Sequence, residues 1–204
     1  MRWFLRLPPV AAGCVVEFSL LLGALLGAWL LGRPLLSEFA GHAVDVVLGV
    51  LATGPALGAF VLAQRSPWPP LARLRTLLDD LVAQWFSGCS WPELALLSAL
   101  AGVGEEALFR GLVQGGLTDI LGAATGVALA SLLFGLCHSM TPTYAVAATL
   151  MGAYLGGLYL WTGNLVASAL AHGLYDFVAL LWLVRAKRAR RGNRSSPERE
   201  GRED

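Results

Sequence analysis

The sequence predicts an all-α protein: a polytopic transmembrane helical bundle of about six spans plus one amphipathic interfacial helix. Three observations carry this. The 204 residues are 56% hydrophobic and only 14% charged, where a soluble domain carries about a quarter charged residues. The mean hydropathy is +0.62. The apolar residues also fall into runs of about 20, the length that crosses a bilayer as a helix, the element that satisfies its own backbone hydrogen bonds in lipid. Length leaves room for one compact membrane domain, residues 1–184, and no second.

The first run spans residues 10–31 and contains Glu17. Arg2 and Arg6 give it a basic start, yet it exceeds the 7 to 15 apolar residues of a signal-peptide core and no small-x-small site precedes Arg33, so it is expected to stay as a membrane anchor. The second run, 43–63, has Asp45 near its start and Pro55 as a kink point. Residues 71–86 differ. Leu71, Leu74, Leu77, Leu78, Leu81, Val82 and Trp85 recur at helical spacing, with Arg73, Arg75, Asp79, Asp80 and Gln84 mostly on the other side. This is the amphipathic helix, placed on the membrane surface or against the bundle. Four more spans follow at 92–112, 120–138, 142–161 and 165–184.

Beyond them, residues 185–204 begin with Arg185, Lys187, Arg188, Arg190 and Arg191 and read as an irregular basic tail. Basic loops mark the cytoplasmic side. Six spans place Arg2, Arg6 and the 65–75 loop on that same side, so both termini are expected to be cytoplasmic in a protein integral to the cell (inner) membrane. The net charge of +1 gives no general attraction to nucleic acid; the expected partner is the lipid bilayer. Cys14, Cys89 and Cys137 are scattered and show neither metal-type spacing nor a disulfide framework. Glycine pairs four apart (Gly23/Gly27, Gly54/Gly58, Gly122/Gly126, Gly152/Gly156) are read as close helix packing.

The chemistry-bearing residues lie in the second half. Glu105, Glu106 and Arg110 fall within six residues of an apolar helix, although each charge near the bilayer centre costs about 2.5–3.5 kcal/mol on insertion scales. Glu106 and Arg110 are four apart and can pair on one face. Glu105 is rotated about 100° away, which leaves it free to face a cavity as a general base. His138 ends the run Phe134-Gly135-Leu136-Cys137-His138. His172 and Asp176, again four apart, share a face of the last span, where Asp176 can orient His172 or share a proton with it. Two histidines and a carboxylate on three helices can polarise a water, directly or through a metal. There is no His-Glu-x-x-His helix, no Gly-x-Ser-x-Gly elbow and no phosphate-binding glycine loop. Glu17, Asp45 and His42 are read as packing or interfacial residues.

The ordered set Glu105-Glu106-x-x-x-Arg110, Phe134-x-x-x-His138 and His172-x-x-x-Asp176 resembles the signature of the CAAX prenyl endopeptidase family, also called the CPBP or Abi family of intramembrane proteases. The resemblance covers residues 92–184, the motif-bearing core. It implies hydrolysis of a peptide bond within the membrane, with a membrane-tethered peptide or protein as substrate. It implies that Glu105 and His138 activate water, that His172 and Asp176 stabilise the oxyanion, and that Glu106 and Arg110 hold the site together. No cofactor is favoured, because the set offers few ligands of clear zinc geometry; zinc is the alternative. An ionised Asp176 cannot donate to an oxyanion, whereas the asparagine that the family also uses there can.

Depth sets a test. At 1.5 Å per residue, Glu105 lies about 20 Å into its helix, while His138 would reach the cytoplasmic surface if its helix starts at 120 and runs straight. The two meet only if the chain turns inside the bundle, and Gly111, Gly115, Gly116 and Gly122 suggest a submerged loop after Arg110. Two rival functions are a non-catalytic scaffold or immunity protein that keeps the fold, and a small proton-coupled transporter. The second lacks the internal repetition that transporters carry.

Overall fold

A computed structural model describes residues 7–194 and contains only helices among them. Helix α1 (Pro9–Leu30) starts with proline in its first turn, where no backbone donor is needed. A 3-10 turn (Leu35–Phe39) leads to α2 (Ala43–Arg65), whose N-terminus is closed by reciprocal bonds between His42 and Asp45. The amphipathic element is α3 (Pro69–Leu81), followed by a π-helical turn (Val82–Phe86). Ser90 and Glu93 form a capping box at the start of α4 (Trp91–Glu106). A π-helical segment (Ala107–Gln114) then runs without a break into α5 (Gly115–Leu121). After Gly122 come α6 (Ala123–Cys137), α7 (Pro142–Thr162) and α8 (Leu165–Arg194).

The all-α membrane bundle is borne out. Helices α1, α2, α7 and α8 are long and apolar enough to cross a membrane, and α6 is a shorter apolar helix. Two sequence expectations are corrected. The third span does not end at 112 in a submerged loop; it stays helical to Leu121, and the break falls at Gly122, whose φ of +82° suits glycine. The last helix runs to Arg194, so residues 185–194 are helical rather than irregular. Arg2, Arg6 and residues 195–204 lie outside the described residues.

The longer third span resolves the depth problem. From Glu105 to Leu121 is about 24 Å along the helix, and from Ala123 back to His138 about 22 Å. The hairpin at Gly122 therefore returns His138 to the level of Glu105. What holds the chain helical through Gly111, Gly115 and Gly116 is tertiary: Arg110 Nη2 donates to Gly152 O at 3.2 Å and Gln114 Nε2 to Gly156 O at 3.0 Å, both on α7. π-helical turns recur at functional sites, and this one is largely buried.

Helix packing follows the small residues unevenly. α1 lies parallel to the third span, with Gly13 against Leu97, Glu17 against Gly104 and Gly27 against Leu112. α4 and α8 cross where Gly102 meets the backbone of Ala169 and Gly173. Of the glycine pairs, Gly152/Gly156 is tight at both members, against Ser131 and Gln114; Gly54/Gly58 meets nothing and is not a packing motif. A Cβ on Gly102 would sit 2.5 Å from Ala169 O and 2.8 Å from Gly173 N, backbone atoms that cannot swing aside. Gly102→Ala is expected to cost about 1–3 kcal/mol through overpacking. Gly54→Ala, in open space, should stabilise by up to about 1 kcal/mol through helix propensity. Thermal unfolding in detergent reads both; equal midpoints would contradict the packing described.

α3 packs against the bundle. Its Leu74 is buried, its Arg75 donates to Ala63 O and Ser66 O at the end of α2, and its Asp79 pairs with Arg190 of α8 at 2.8 Å. At the opposite end of the bundle, Arg33 joins Asp119 and lies 3.8 Å from Glu38, which accepts from the Tyr159 hydroxyl at 2.7 Å.

Candidate active site

Six residues singled out in the sequence converge: Glu105, Glu106 and Arg110 from the third span, His138 from the end of α6, and His172 and Asp176 from α8. Glu106 is the hub. It is fully buried, and its Oε1 accepts from Arg110 Nη1 at 2.6 Å and lies 2.9 Å from His172 Nδ1. The Arg110 pair is the one helical spacing predicts. The His172 contact is not, because the two residues are 66 positions apart. Asp176 Oδ2 stands 3.6 Å from His172 Nε2, beyond hydrogen-bond range. His172 is therefore oriented mainly by Glu106 from another helix, with Asp176 a neighbour of its second nitrogen.

Glu105 faces the other way. Its Oε2 lies 3.8 Å from His138 Nε2 and 4.0 Å from His172 Nε2, and has no hydrogen-bond partner. Both imidazoles are fixed by their remaining nitrogen. His138 Nδ1 is 2.8 Å from Phe134 O, a carbonyl that only accepts, so Nδ1 carries the proton and Nε2 points at Glu105. His172 Nδ1 donates likewise to the Glu106 carboxylate. Phe134 stacks on the His138 ring at 4.4 Å, and the Arg110 guanidinium sits 4.6 Å above the Phe134 ring. The Phe134-to-His138 spacing thus both stacks and hydrogen-bonds the histidine.

The groups open onto a cavity of about 130 Å³ lined by Glu105, Phe134, His138, His172 and Asp176. Tyr144 of α7 and Tyr175 of α8 also line it. Both escaped the sequence reading. Tyr175 sits three residues after His172 on the same face, a usable signal. Tyr144 gave none, since it reaches the cavity through the short α6–α7 turn. A second, mainly apolar cavity of about 380 Å³ between α2, α3 and α7 shares Tyr144, Ala147, Met151 and Tyr175 with the first. Among the described residues, no group of three or more His, Cys, Asp or Glu side chains is arranged to hold a metal.

Residues 87–178, which carry all six groups, match the family model described as type II CAAX prenyl endopeptidase Rce1-like. This segment is CAAX-protease-like. The "Uncharacterized protein YpbD" of Bacillus subtilis (strain 168) is 35% identical over 96 residues, 46% of this chain and 47% of that one. The match spans about half the length of this curated relative. No solved structure matches the chain. The CAAX-protease-like segment begins just before α4 and ends in α8, so it contains the whole cavity floor, while α1 and α2 pack around it from outside.

Proposed function

We propose that the protein is an intramembrane endopeptidase that hydrolyses a peptide bond near a membrane anchor, a C-terminal tag or a leader, using a water activated by Glu105 and His138. One observation carries this reading: a buried carboxylate and two imidazole Nε2 atoms, each imidazole fixed by its other nitrogen, face one cavity that is large enough for water and a carbonyl. Water bound between Glu105 and His138 Nε2 gives its proton to Glu105 as its oxygen attacks the carbonyl carbon. The carbonyl electron pair moves to oxygen, where His172, as an imidazolium whose Nδ1–H is held by Glu106, stabilises it with its Nε2–H. Asp176 helps place that donor. The C–N bond then breaks, and Glu105 returns the proton to the leaving nitrogen. Glu106 and Arg110 keep His172 and the third span in register.

The hydrogen bond at each Nδ1 leaves each Nε2 free, as in metal-bound histidines, but each Nε2 lies 3.8–4.0 Å from Glu105 Oε2, wider than the about 3.3 Å between ligands of a tetrahedral zinc. Zinc is the alternative. The basic residues Arg65, Arg73, Arg75, Arg185, Lys187, Arg188 and Arg190 gather at one end of the bundle, which supports cytoplasmic placement of that end. The purified protein in detergent is expected to cleave members of a membrane-tethered peptide library and to keep that activity with a chelator present. Activity lost on chelation and restored by zinc would favour the metal reading; no cleavage of any member would remove the protease reading.

A further inference from the structure

The chain has four tyrosines, and a tyrosine hydroxyl drawn into a protein interior usually finds a hydrogen-bond partner. Tyr154 donates to Ala52 O at 2.6 Å and Tyr159 to the Glu38 carboxylate at 2.7 Å. The Tyr144 and Tyr175 hydroxyls bond to no protein group among the described residues, and these are the two that line the cavity with Glu105, His138 and His172. Of the two, Tyr144 is packed on the water-activating pair. Its ring meets the His138 ring edge to face, centroids 6.1 Å apart, and His138 Nε2 lies 3.8 Å from Glu105 Oε2. The Tyr175 ring packs instead against Phe60 of α2, centroids 6.3 Å apart, beside the apolar cavity. Tyr144 is also held in place: it sits in the first turn of α7, where its backbone N–H donates to Thr141 Oγ1 at 3.1 Å.

Attack by water puts negative charge on the carbonyl oxygen, and each donor aimed at that oxygen is worth about 10²–10³ in rate. His172 Nε2–H is one such donor, but two carboxylates compete for it, Asp176 Oδ2 at 3.6 Å and Glu105 Oε2 at 4.0 Å. His138 Nε2 carries no proton, because the ring holds its proton on Nδ1 against Phe134 O. An Asp176 carboxylate only accepts. Apart from the two tyrosine hydroxyls, the rest of the lining is apolar. We infer that Tyr144 is a further catalytic residue, whose hydroxyl donates a hydrogen bond to the oxyanion opposite His172. This rests on the protease reading. Water gives its proton to Glu105, the carbonyl pair moves to oxygen, and Tyr144 O–H donates to that oxygen while keeping its own proton. When the carbonyl re-forms and the C–N bond breaks, the hydrogen bond is released. Position 176 presents an acceptor where an amide would present a donor, and Tyr144 makes up for it.

The probe is a membrane-tethered library peptide that the unmodified protein cleaves. On it, kcat and KM are measured for the unmodified protein, Tyr144→Phe, Tyr175→Phe, Asp176→Asn, and Tyr144→Phe combined with Asp176→Asn. Phenylalanine keeps the ring against His138 and removes only the hydroxyl. Tyr144→Phe should therefore lower kcat by about 10²-fold with KM and the thermal midpoint held. In the Asp176→Asn background, where an amide N–H can serve the same oxygen, the same change should cost less than about tenfold, as expected of two groups that share one task. A ring that served packing alone would leave kcat unchanged in both backgrounds. A Tyr144→Phe protein with the original kcat would overturn the inference, as would a larger loss in Tyr175→Phe, equal Tyr144→Phe losses in both backgrounds, or an inactive Asp176→Asn protein. An unmodified protein that cleaves no peptide would remove the protease reading and the Tyr144 assignment together, whereas an active one matched by Tyr144→Phe would remove the assignment alone.

Discussion

Glu105→Gln is expected to leave a folded protein that no longer cleaves, with kcat reduced by about 10³-fold or more, within the range that a positioned general base supplies. The substitution keeps the shape of a side chain that is 8% exposed. It removes the only function that the shape cannot replace, acceptance of a proton from water. Its Oε2 makes no hydrogen bond, so the amide breaks no pairing when it replaces the acid. A buried polar group without a partner is costly, and a neutral amide costs less than a carboxylate. The thermal midpoint should therefore hold or rise while activity disappears. That combination separates chemistry from architecture. Full cleavage in a folded Glu105→Gln protein would leave the fold intact and end the catalytic assignment; an unchanged biological effect would turn the reading toward the scaffold.

The parts of the site that sequence shows are those set by one helix. Glu106 and Arg110, or His172 and Asp176, share a face because four residues is about one turn. The resemblance supplied the order in which these pairs recur. What sequence could not show were bonds between helices: His172 to Glu106, Arg110 to Gly152 and Gln114 to Gly156. Gln114 is fully buried, yet it was not singled out, since a single glutamine among glycines reads as a loop. The same two α7 carbonyls explain the misplaced helix end. Local propensity favours a break in the glycine-rich 111–116 stretch, and tertiary hydrogen bonds overrule it. Glycine pairing misled for the opposite reason. Spacing alone does not say which face meets a helix and which does not, and Gly54 and Gly58 meet open space.

Arg110→Met is expected to have the largest effect on stability, a loss of about 3–5 kcal/mol, because it strands a carboxylate in the interior. Glu106 has no exposed surface and Arg110 is 2% exposed. Without the guanidinium, the Glu106 charge keeps only His172 as a partner, and Gly152 O loses its donor. Phe134 also loses the cation above its ring, and Phe134 is what stacks on His138. The damage therefore spreads from the third span to α7 and α6. The double variant Glu106→Gln with Arg110→Met removes both charges together, and replacing a buried pair by neutral groups is near neutral or stabilising. It should recover a single elution peak and a midpoint near the original. Cleavage should stay lost, because His172 Nδ1 then faces an amide in place of the carboxylate that held its Nδ1–H and balanced the charge of the imidazolium. A single Arg110→Met variant as stable as the parent would mean that Glu106 is already neutral, and that the hub of the site is held by packing instead of charge.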